Sequence, residues 1–235
     1  MSNAAEQKFR IVFAIYPGMT HLDFTGPHQF LSRLPNSETI VASPAGGDVP
    51  ADGLTFGKTV KIADVGSCDL ICVPGGINAT QVAQDQAFVG EVRRLALGAK
   101  YVTSVCTGSL ILAAAGLLTG RRAACHWGYA ELLPVFGAIH DPARVARDGN
   151  IITGGGVTAG IDFALTVLAE IGGDDLAQTI QLGLEYAPAP PFDSGRPELA
   201  PPHVRERYEV MRQKLMPGRR AEAEQAAALM KATLS

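Results

Sequence analysis

The sequence predicts one α/β domain built on a doubly wound, mainly parallel sheet with helices on both faces. Short apolar runs of strand length alternate along the chain with longer segments of helical spacing, which is the pattern of βαβ units. The clear strands stop at turns rich in glycine or proline, or at small polar residues, as strands do at the carboxyl edge of an open sheet. The 235 residues suffice for a single domain of this kind.

In the first half of the chain, apolar runs and turn residues predict the elements. Residues 9–16 form an apolar run that stops at Pro17-Gly18, which predicts a buried parallel strand. From Thr20 the apolar residues follow helical spacing, although Gly26-Pro27 interrupts the first turns. Two further segments are predicted as a strand over 39–43 and a hairpin or edge strand over 54–60.

The second half repeats the alternation around two glycine-rich corners. A buried strand over 69–73 breaks at Pro74-Gly75-Gly76, and a strand over 151–153 breaks at Gly154-Gly155-Gly156. Between them the pattern predicts a helix over 88–98, a strand over 101–105 and a helix over 110–118 that Gly120 ends. A helix over 158–171 follows the second corner.

The chain beyond Tyr186 has a different composition. The segment 187–192 contains three prolines, which lack amide donors, so it is expected to cross the surface in extended form. Residues 203–234 predict one or two peripheral helices. We therefore expect a disordered N-terminus over 1–8, a catalytic domain over 9–202, and a helical extension over 203–235 that packs on the same domain or on a dimer partner.

Composition excludes several classes of function. The formal net charge is −3 and no run rich in Lys and Arg appears, so no nucleic-acid partner is expected. No stretch approaches the roughly 18 apolar residues of a membrane span and the N-terminus lacks a signal pattern, which predicts a cytoplasmic protein. The four cysteines lie in apolar surroundings, as reduced thiols do, and no His/Cys cluster suggests a metal or cofactor.

Cys106 is the candidate nucleophile among these cysteines. It falls between a buried strand and a helix, in the string Ser104-Val105-Cys106-Thr107-Gly108, which has the small-x-nucleophile-x-small layout of a nucleophile elbow. A helix N-terminus at this point would stabilise a thiolate. The alternative is a buried structural cysteine at the end of a core strand, which is common. The same alternative is the stronger one for Cys68 and Cys72.

Residues that follow the neighbouring strands could complete a site around Cys106. Asp23 is the best candidate for a proton-transferring carboxyl, because burial beside a thiolate would raise its pKa; the alternative is an ordinary helix-capping Asp. The amides of Gly75 and Gly76 could receive developing charge, although a plain tight turn explains them almost as well. His126 could be a base, but beside Trp127 a structural role is the more common one.

The three glycine- and cysteine-containing corners together resemble the DJ-1/PfpI superfamily over nearly the whole chain. They are Pro74-Gly75-Gly76, the elbow 104–109 and the run 153–164. Within the superfamily, segments 22–28, 101–109 and 184–192 resemble the isocyanide hydratases in particular. Many members have Glu where this chain has Asp23 and His where it has Thr107, and both departures suit the hydratases.

This resemblance implies a flavodoxin-like fold and an isocyanide as substrate. By the same resemblance, Cys106 would attack the terminal carbon and Asp23 would act as general acid and base through a covalent thioimidate that water converts to an N-substituted formamide. Thr107 would position Asp23 or water, Gly75 and Gly76 would contact the substrate, and no cofactor or metal would be required. Members of this kind are homodimers.

Two other classes of function remain open at this point. A ligand-sensing module resembles domains fused to AraC-type DNA-binding regions, but only about 30 residues follow His203. A redox sensor would use a low-pKa Cys106 that oxidises to sulfinic acid. An enzyme of the same fold acting on a 2-oxoaldehyde or an amide is a further alternative.

Overall fold

The computed structural model describes residues 8–234. Except for Lys8, the predicted disordered N-terminus lies outside these residues. Ten strands are described: β1 Phe9–Ala14, β2 Ser37–Ser43, β3 Gly47–Ala51, β4 Leu54–Lys61, β5 Leu70–Val73, β6 Tyr101–Val105, β7 Arg122–Ala123, β8 Ile139–His140, β9 Val145–Asp148 and β10 Ile151–Gly154. Seven α-helices are described: α1 His21–Leu31, α2 Ala79–Val82, α3 Gln86–Gly98, α4 Gly108–Ala114, α5 Ala159–Gly172, α6 Asp174–Gly183 and α7 Pro202–Leu234.

Eight of the strands form one sheet in the order β3-β4-β2-β1-β5-β6-β10-β9. The pairs within β4-β2-β1-β5-β6-β10 are parallel, and the two outer pairs, β3 with β4 and β9 with β10, are antiparallel. Helices α1, α5 and α6 form one layer and α2, α3, α4 and α7 the other. The predicted doubly wound α/β fold is therefore confirmed.

The central strands β1, β5, β6 and β10 are largely buried on both sides, which is why they consist mainly of apolar and small polar residues. Their carboxyl ends lie side by side in the sheet. The chain leaves β1 toward Asp23, β5 toward Gly75 and β6 toward Cys106. The order of the strands thus brings three widely separated segments of sequence to one edge of the sheet.

Helix α1 crosses α5 closely where the sequence has Gly26-Pro27. A Cβ on Gly160 would lie 3.1 Å from the Pro27 ring, and one on Gly26 would lie 3.5 Å from Ile161 Cγ1. The helix begins without a side-chain cap of its own, but the Asp52 carboxylate accepts a hydrogen bond from His21 N at 2.8 Å. A turn between two strands therefore fixes the helix that carries Asp23.

The structure differs from the predicted elements at the end of α4 and in several additional elements. Helix α4 ends at Ala114 rather than at 118, because Gly116 adopts a φ of +70° and closes a Schellman motif in which Leu117 N donates to Leu112 O. Strands β3, β7, β8 and β9 and helices α2 and α6 were not predicted. The C-terminal segment forms one helix of 33 residues that includes Pro217.

Helix α7 packs on the same domain. Its buried side chains are Met216, Ala223, Ala226, Ala227 and Met230, and it contacts α2, α4 and the 3-10 segment Ala130–Phe136. Glu222 accepts hydrogen bonds from Thr80 and Gln81 at the end of this contact. Within the described residues, no helix is both long enough and apolar enough to cross a bilayer.

Candidate active site

Cys106 occupies a strained elbow between β6 and α4. Its φ is +60°, a left-handed conformation that costs a residue with a side chain about 1–2 kcal/mol. The peptide is held in place because Cys106 N donates to Gly154 O at 3.0 Å and to Gly155 O at 2.8 Å. The elbow therefore depends on the loop that follows the neighbouring strand β10.

Two glycines let the chain approach the elbow closely. A Cβ on Gly108 would lie 2.2 Å from Val73 O, and a Cβ on Gly75 would lie 2.5 Å from Thr107 N. A Cβ atom does not approach a non-bonded atom this closely, so neither position tolerates a side chain without movement of the backbone. The Gly75 Cβ would also lie 2.8 Å from Asp23 Oδ2, which shows how tightly the corner and the carboxyl are packed.

Asp23 is completely buried in the first turn of α1. Its Oδ2 accepts a hydrogen bond from Gly75 N at 3.0 Å, and its Oδ1 has no hydrogen-bond partner among the described residues. The carboxyl thus caps the Pro74-Gly75-Gly76 corner, and it does not bond the amides of its own helix as a capping Asp would. One carboxyl oxygen remains for chemistry beside the thiol.

Asp23 and Cys106 influence each other's protonation. Burial raises the pKa of Asp23 from 3.8 to about 7, and contact with the Cys106 side chain opposes part of this rise. Burial also raises the pKa of the Cys106 thiol well above its usual value, and the Asp23 charge raises it further. Backbone N–H groups of Val157 and Thr107 lower the same pKa. Burial therefore outweighs the stabilisation of the thiolate that we expected from a helix N-terminus.

A buried thiol and carboxyl in contact are best described as a pair that shares protons. Near neutral pH the pair loses its first proton, because the pKa of Asp23 is about 7. The remaining proton can reside on sulfur or on the carboxyl. The form with a thiolate and a carboxylic acid combines a nucleophile with a proton donor.

Thr107 acts on the glycine corner and not on Asp23 directly. Its Oγ1 accepts a hydrogen bond from Gly76 N at 2.8 Å and donates one to Gly76 O at 2.9 Å. These two hydrogen bonds fix Gly76. The N–H of the neighbouring Gly75 then donates to Asp23. The amides of Gly75 and Gly76 therefore donate to side chains of the site, and their expected contact with a substrate stays a prediction.

The matches to known proteins agree with this geometry. Residues 9–170 match the DJ-1/PfpI family. The chain belongs to the DJ-1/PfpI family. An isonitrile hydratase of Pseudomonas putida is 50% identical over 196 residues, which cover 83% of this chain and 86% of that protein. A ThiJ/PfpI family protein of Pseudomonas syringae has a crystal structure that superposes with a TM-score of 0.87 at 38% identity, covering 94% of this chain and 90% of the other.

A regulator is also similar to this DJ-1/PfpI chain over part of its length. The HTH-type transcriptional regulator GlxA of Rhizobium meliloti is 32% identical over 155 residues. The match covers 64% of this chain and 47% of the regulator, so about half of the regulator has no counterpart in the match.

Two residues of the site were not predicted from the sequence. Tyr16 is buried, its hydroxyl donates to Pro74 O at 3.1 Å, and burial, Asp23 and Cys106 all raise its pKa. Val157 contributes a backbone N–H to the Cys106 thiol. Tyr16 follows the end of β1, and this position at the carboxyl edge of the sheet could have identified it. Val157 contacts Cys106 through its main chain, and such a contact does not depend on residue type.

Burial also shifts the pKa values of the other cysteines and of His126. Burial raises the pKa of Cys68 to about 11 and those of Cys72 and Cys125 to about 12, and a neighbouring Asp charge adds to the rise at each. His126 Nδ1 accepts a hydrogen bond from Gly128 N at 3.1 Å, which fixes a turn, and burial lowers its pKa. Within residues 8–234, His, Cys, Asp and Glu side chains form no cluster of three or more that could hold a metal ion.

Replacing Gly75 by alanine is expected to reduce thermal stability and to abolish the function of the site together. The added methyl group overlaps Thr107 N and Asp23 Oδ2, which should cost about 1–3 kcal/mol of unfolding free energy and displace both residues. Calorimetry and the activity assay described below measure the two effects. Gly90→Ala is the matched control, since Gly90 is exposed in α3 with no atom within 4 Å of the added group. A Gly75→Ala protein with unchanged activity would contradict the geometry of the corner.

Proposed function

We propose that this chain is an isocyanide hydratase that converts R–NC to an N-substituted formamide. The observation that carries the proposal is the buried pair of Cys106 and Asp23, a nucleophile in a strained elbow with an unpartnered carboxyl oxygen beside it. The resemblance to the Pseudomonas putida isonitrile hydratase supports this choice of substrate, since isonitrile is another name for isocyanide.

The first step forms a carbon–sulfur bond. The Cys106 thiolate attacks the terminal carbon of R–NC while Asp23 transfers its proton to that same carbon, giving the thioimidate Cys–S–CH=N–R and an Asp23 carboxylate. The N–H groups of Val157 and Thr107 stabilise the thiolate before attack. Asp23 suits the role of donor because burial raises the pKa of its carboxyl to about 7.

The second step returns the enzyme to its starting state. The Asp23 carboxylate removes a proton from a water molecule that adds to the imidate carbon and passes this proton to the nitrogen, which gives Cys–S–CH(OH)–NH–R and leaves Asp23 as a carboxylate. Collapse of this intermediate expels the Cys106 thiolate and releases HC(=O)–NH–R. One water is consumed, no cofactor is needed, and Asp23 recovers its proton from the hydroxyl group as that group becomes the formamide carbonyl.

Thr107 and Tyr16 are proposed as positioning residues for this chemistry. Thr107 holds the Gly76 peptide on both its N–H and its C=O, and Tyr16 holds Pro74 O. Both contacts fix the corner from which Gly75 N donates to Asp23. Loss of either hydroxyl should therefore act through the position of the carboxyl.

The direct test is product formation from a simple isocyanide. Purified protein incubated with cyclohexyl isocyanide should release N-cyclohexylformamide over many turnovers, measured by chromatography against a protein-free blank. Methylglyoxal in a parallel reaction tests the 2-oxoaldehyde alternative. Conversion of methylglyoxal with no formamide from the isocyanide would refute the proposal.

The pH dependence of kcat/KM should show an ascending limb near pH 7. Below this pH the Cys106–Asp23 pair holds two protons and the sulfur is a weakly nucleophilic thiol. Above it one proton is lost and the thiolate with a protonated Asp23 becomes accessible, because the pKa of the carboxyl is about 7. Initial rates between pH 5 and 9 measure the limb. A flat profile would contradict the shared-proton description.

We further propose that the chain acts as a homodimer. The half of α7 before Pro217 exposes the apolar side chains of Val210, Met211 and Leu215, which are 57%, 54% and 42% exposed. Burial of such residues in a subunit contact would remove them from water. Light scattering on the eluted protein should give the mass of two chains, and a mass of one chain at micromolar concentration would refute the dimer.

A further inference from the structure

A cavity of about 460 Å³ lies against the loop that holds the Cys106 elbow. Its walls come from the segment 142–144, the loop 155–159 and the segment 195–198. Two residues of the loop, Gly155 and Val157, also hold Cys106, through Gly155 O on Cys106 N and the Val157 N–H on the thiol. The loop that positions Cys106 therefore also forms one wall of the cavity.

Aromatic rings form one wall of this cavity. His126 and Trp127 both line it, and their rings are nearly parallel, with planes 22° apart and centroids 6.0 Å apart. Tyr208 of α7 supports Trp127 at a centroid distance of 4.8 Å, and Tyr129 meets His126 at 5.9 Å. Cys106 raises the pKa of both tyrosines, which places the aromatic cluster within electrostatic range of the thiol.

The wall is preorganised by contacts on both sides. A Cβ on Gly156 would lie 2.8 Å from His126 Cδ2, so the absence of a side chain lets the imidazole lie against the loop. Arg212 of α7 binds Gly128 O at 3.3 Å and Glu131 at 3.2 Å, which ties the helix carrying Tyr208 to the turn carrying Trp127. A rigid flat surface binds flat ligands with little loss of conformational entropy.

The shape of an isocyanide directs its substituent away from the attacked carbon. The R–N≡C group is linear, so a carbon placed at the Cys106 thiol leaves the substituent to extend along the same axis into whatever space adjoins the elbow. A volume of about 460 Å³ holds a six-membered ring with additional groups. The aromatic wall then meets the ring of the substituent.

We propose that this cavity receives the nitrogen substituent of the isocyanide and that Trp127 makes it selective for flat aromatic substituents. The inference rests on the proposed hydratase function and adds the class of substrate. Stacking on an aromatic ring favours an aryl ligand over a saturated ring of the same size by about fivefold to tenfold.

Phenyl isocyanide and cyclohexyl isocyanide are matched probes, because both carry a six-membered ring and only one is flat. Trp127→Leu should lower the ratio of kcat/KM for phenyl over cyclohexyl isocyanide by about fivefold, while Phe192→Leu should leave the ratio unchanged. Phe192 is a suitable control because it is 79% exposed and does not line the cavity. A ratio unchanged in Trp127→Leu would overturn the inference.

A binding measurement tests the same inference without turnover. Trp127 is the single tryptophan of the chain, so its fluorescence reports on this wall alone. Formanilide should change the fluorescence saturably with a Kd at least about fivefold lower than that of N-cyclohexylformamide. Equal Kd values for the two formamides, together with hydration of both isocyanides, would overturn the proposed aryl selectivity. The proposed hydratase function would stand in that case. Hydration of neither isocyanide would overturn the proposed function, and the aryl site with it.

Discussion

Replacing Cys106 by alanine is expected to lower kcat/KM for isocyanide hydration by at least about 10³-fold. The thioimidate cannot form without the sulfur, and loss of a covalent nucleophile commonly removes several orders of magnitude of rate. Alanine should retain the fold, because it meets the same left-handed φ of +60° at about the same cost as cysteine. Formamide release measured by chromatography gives the change in rate.

Cys68→Ala is the matched control for this variant. Cys68 is also a buried free cysteine, 6% exposed against 5% for Cys106, but it lies outside the site. Its replacement should cost modest stability and leave kcat/KM within about twofold, since loss of a buried sulfur removes packing only. Equal activity of Cys106→Ala and the wild-type chain would mean that the thiol is structural.

Replacing Asp23 by asparagine is expected to lower kcat about 10²–10⁴-fold, which is the usual contribution of a general acid. The amide still accepts the hydrogen bond from Gly75 N, so the corner is preserved, but it cannot transfer a proton to carbon. The ascending limb near pH 7 should disappear from the residual activity as well. Asp85→Asn is the control, since Asp85 caps α3 by accepting hydrogen bonds from Ala87 N and Phe88 N.

The same Asp23→Asn variant should be more stable than the wild-type chain at pH 8. The pKa of Asp23 rises from 3.8 to about 7 on folding, so the stabilisation of the folded state is complete below pH 4 and is lost as pH rises to 7. Asparagine does not titrate and avoids this loss, which amounts to about 2–4 kcal/mol above pH 7. Urea unfolding at pH 4 and pH 8 should show the difference between the two proteins growing with pH. A constant difference would contradict the raised pKa.

The arrangement of the sheet was predictable because it follows from local pattern. Apolar runs such as 11–15 and 70–73 mark strands buried on both sides, and the turns after them mark the carboxyl edge of the sheet. The same logic placed Asp23, Gly75 and Cys106 at one edge, and the structure brings them together. Helix α6 lacked such a pattern, because only Ala177 and Ile180 of its side chains are buried.

The finer parts of the site depend on main-chain contacts that sequence does not record. The amides of Gly75 and Gly76 bind Asp23 and Thr107, whereas residue type alone suggested that they face a substrate. Val157 acts through its N–H, and any residue except proline could supply that group. The early end of α4 likewise depends on the left-handed Gly116, although Gly120 is an equally plausible cap by type.

The covalent intermediate on Cys106 is the most direct test of the mechanism. The protein is mixed with excess cyclohexyl isocyanide, quenched in acid within the first turnover, and its intact mass and peptide masses are measured. We predict an increase equal to the full mass of one isocyanide, located on the peptide that contains Cys106 and absent from Cys106→Ala. Formamide release at an unchanged rate with no such adduct, or with the adduct on another cysteine, would contradict the account.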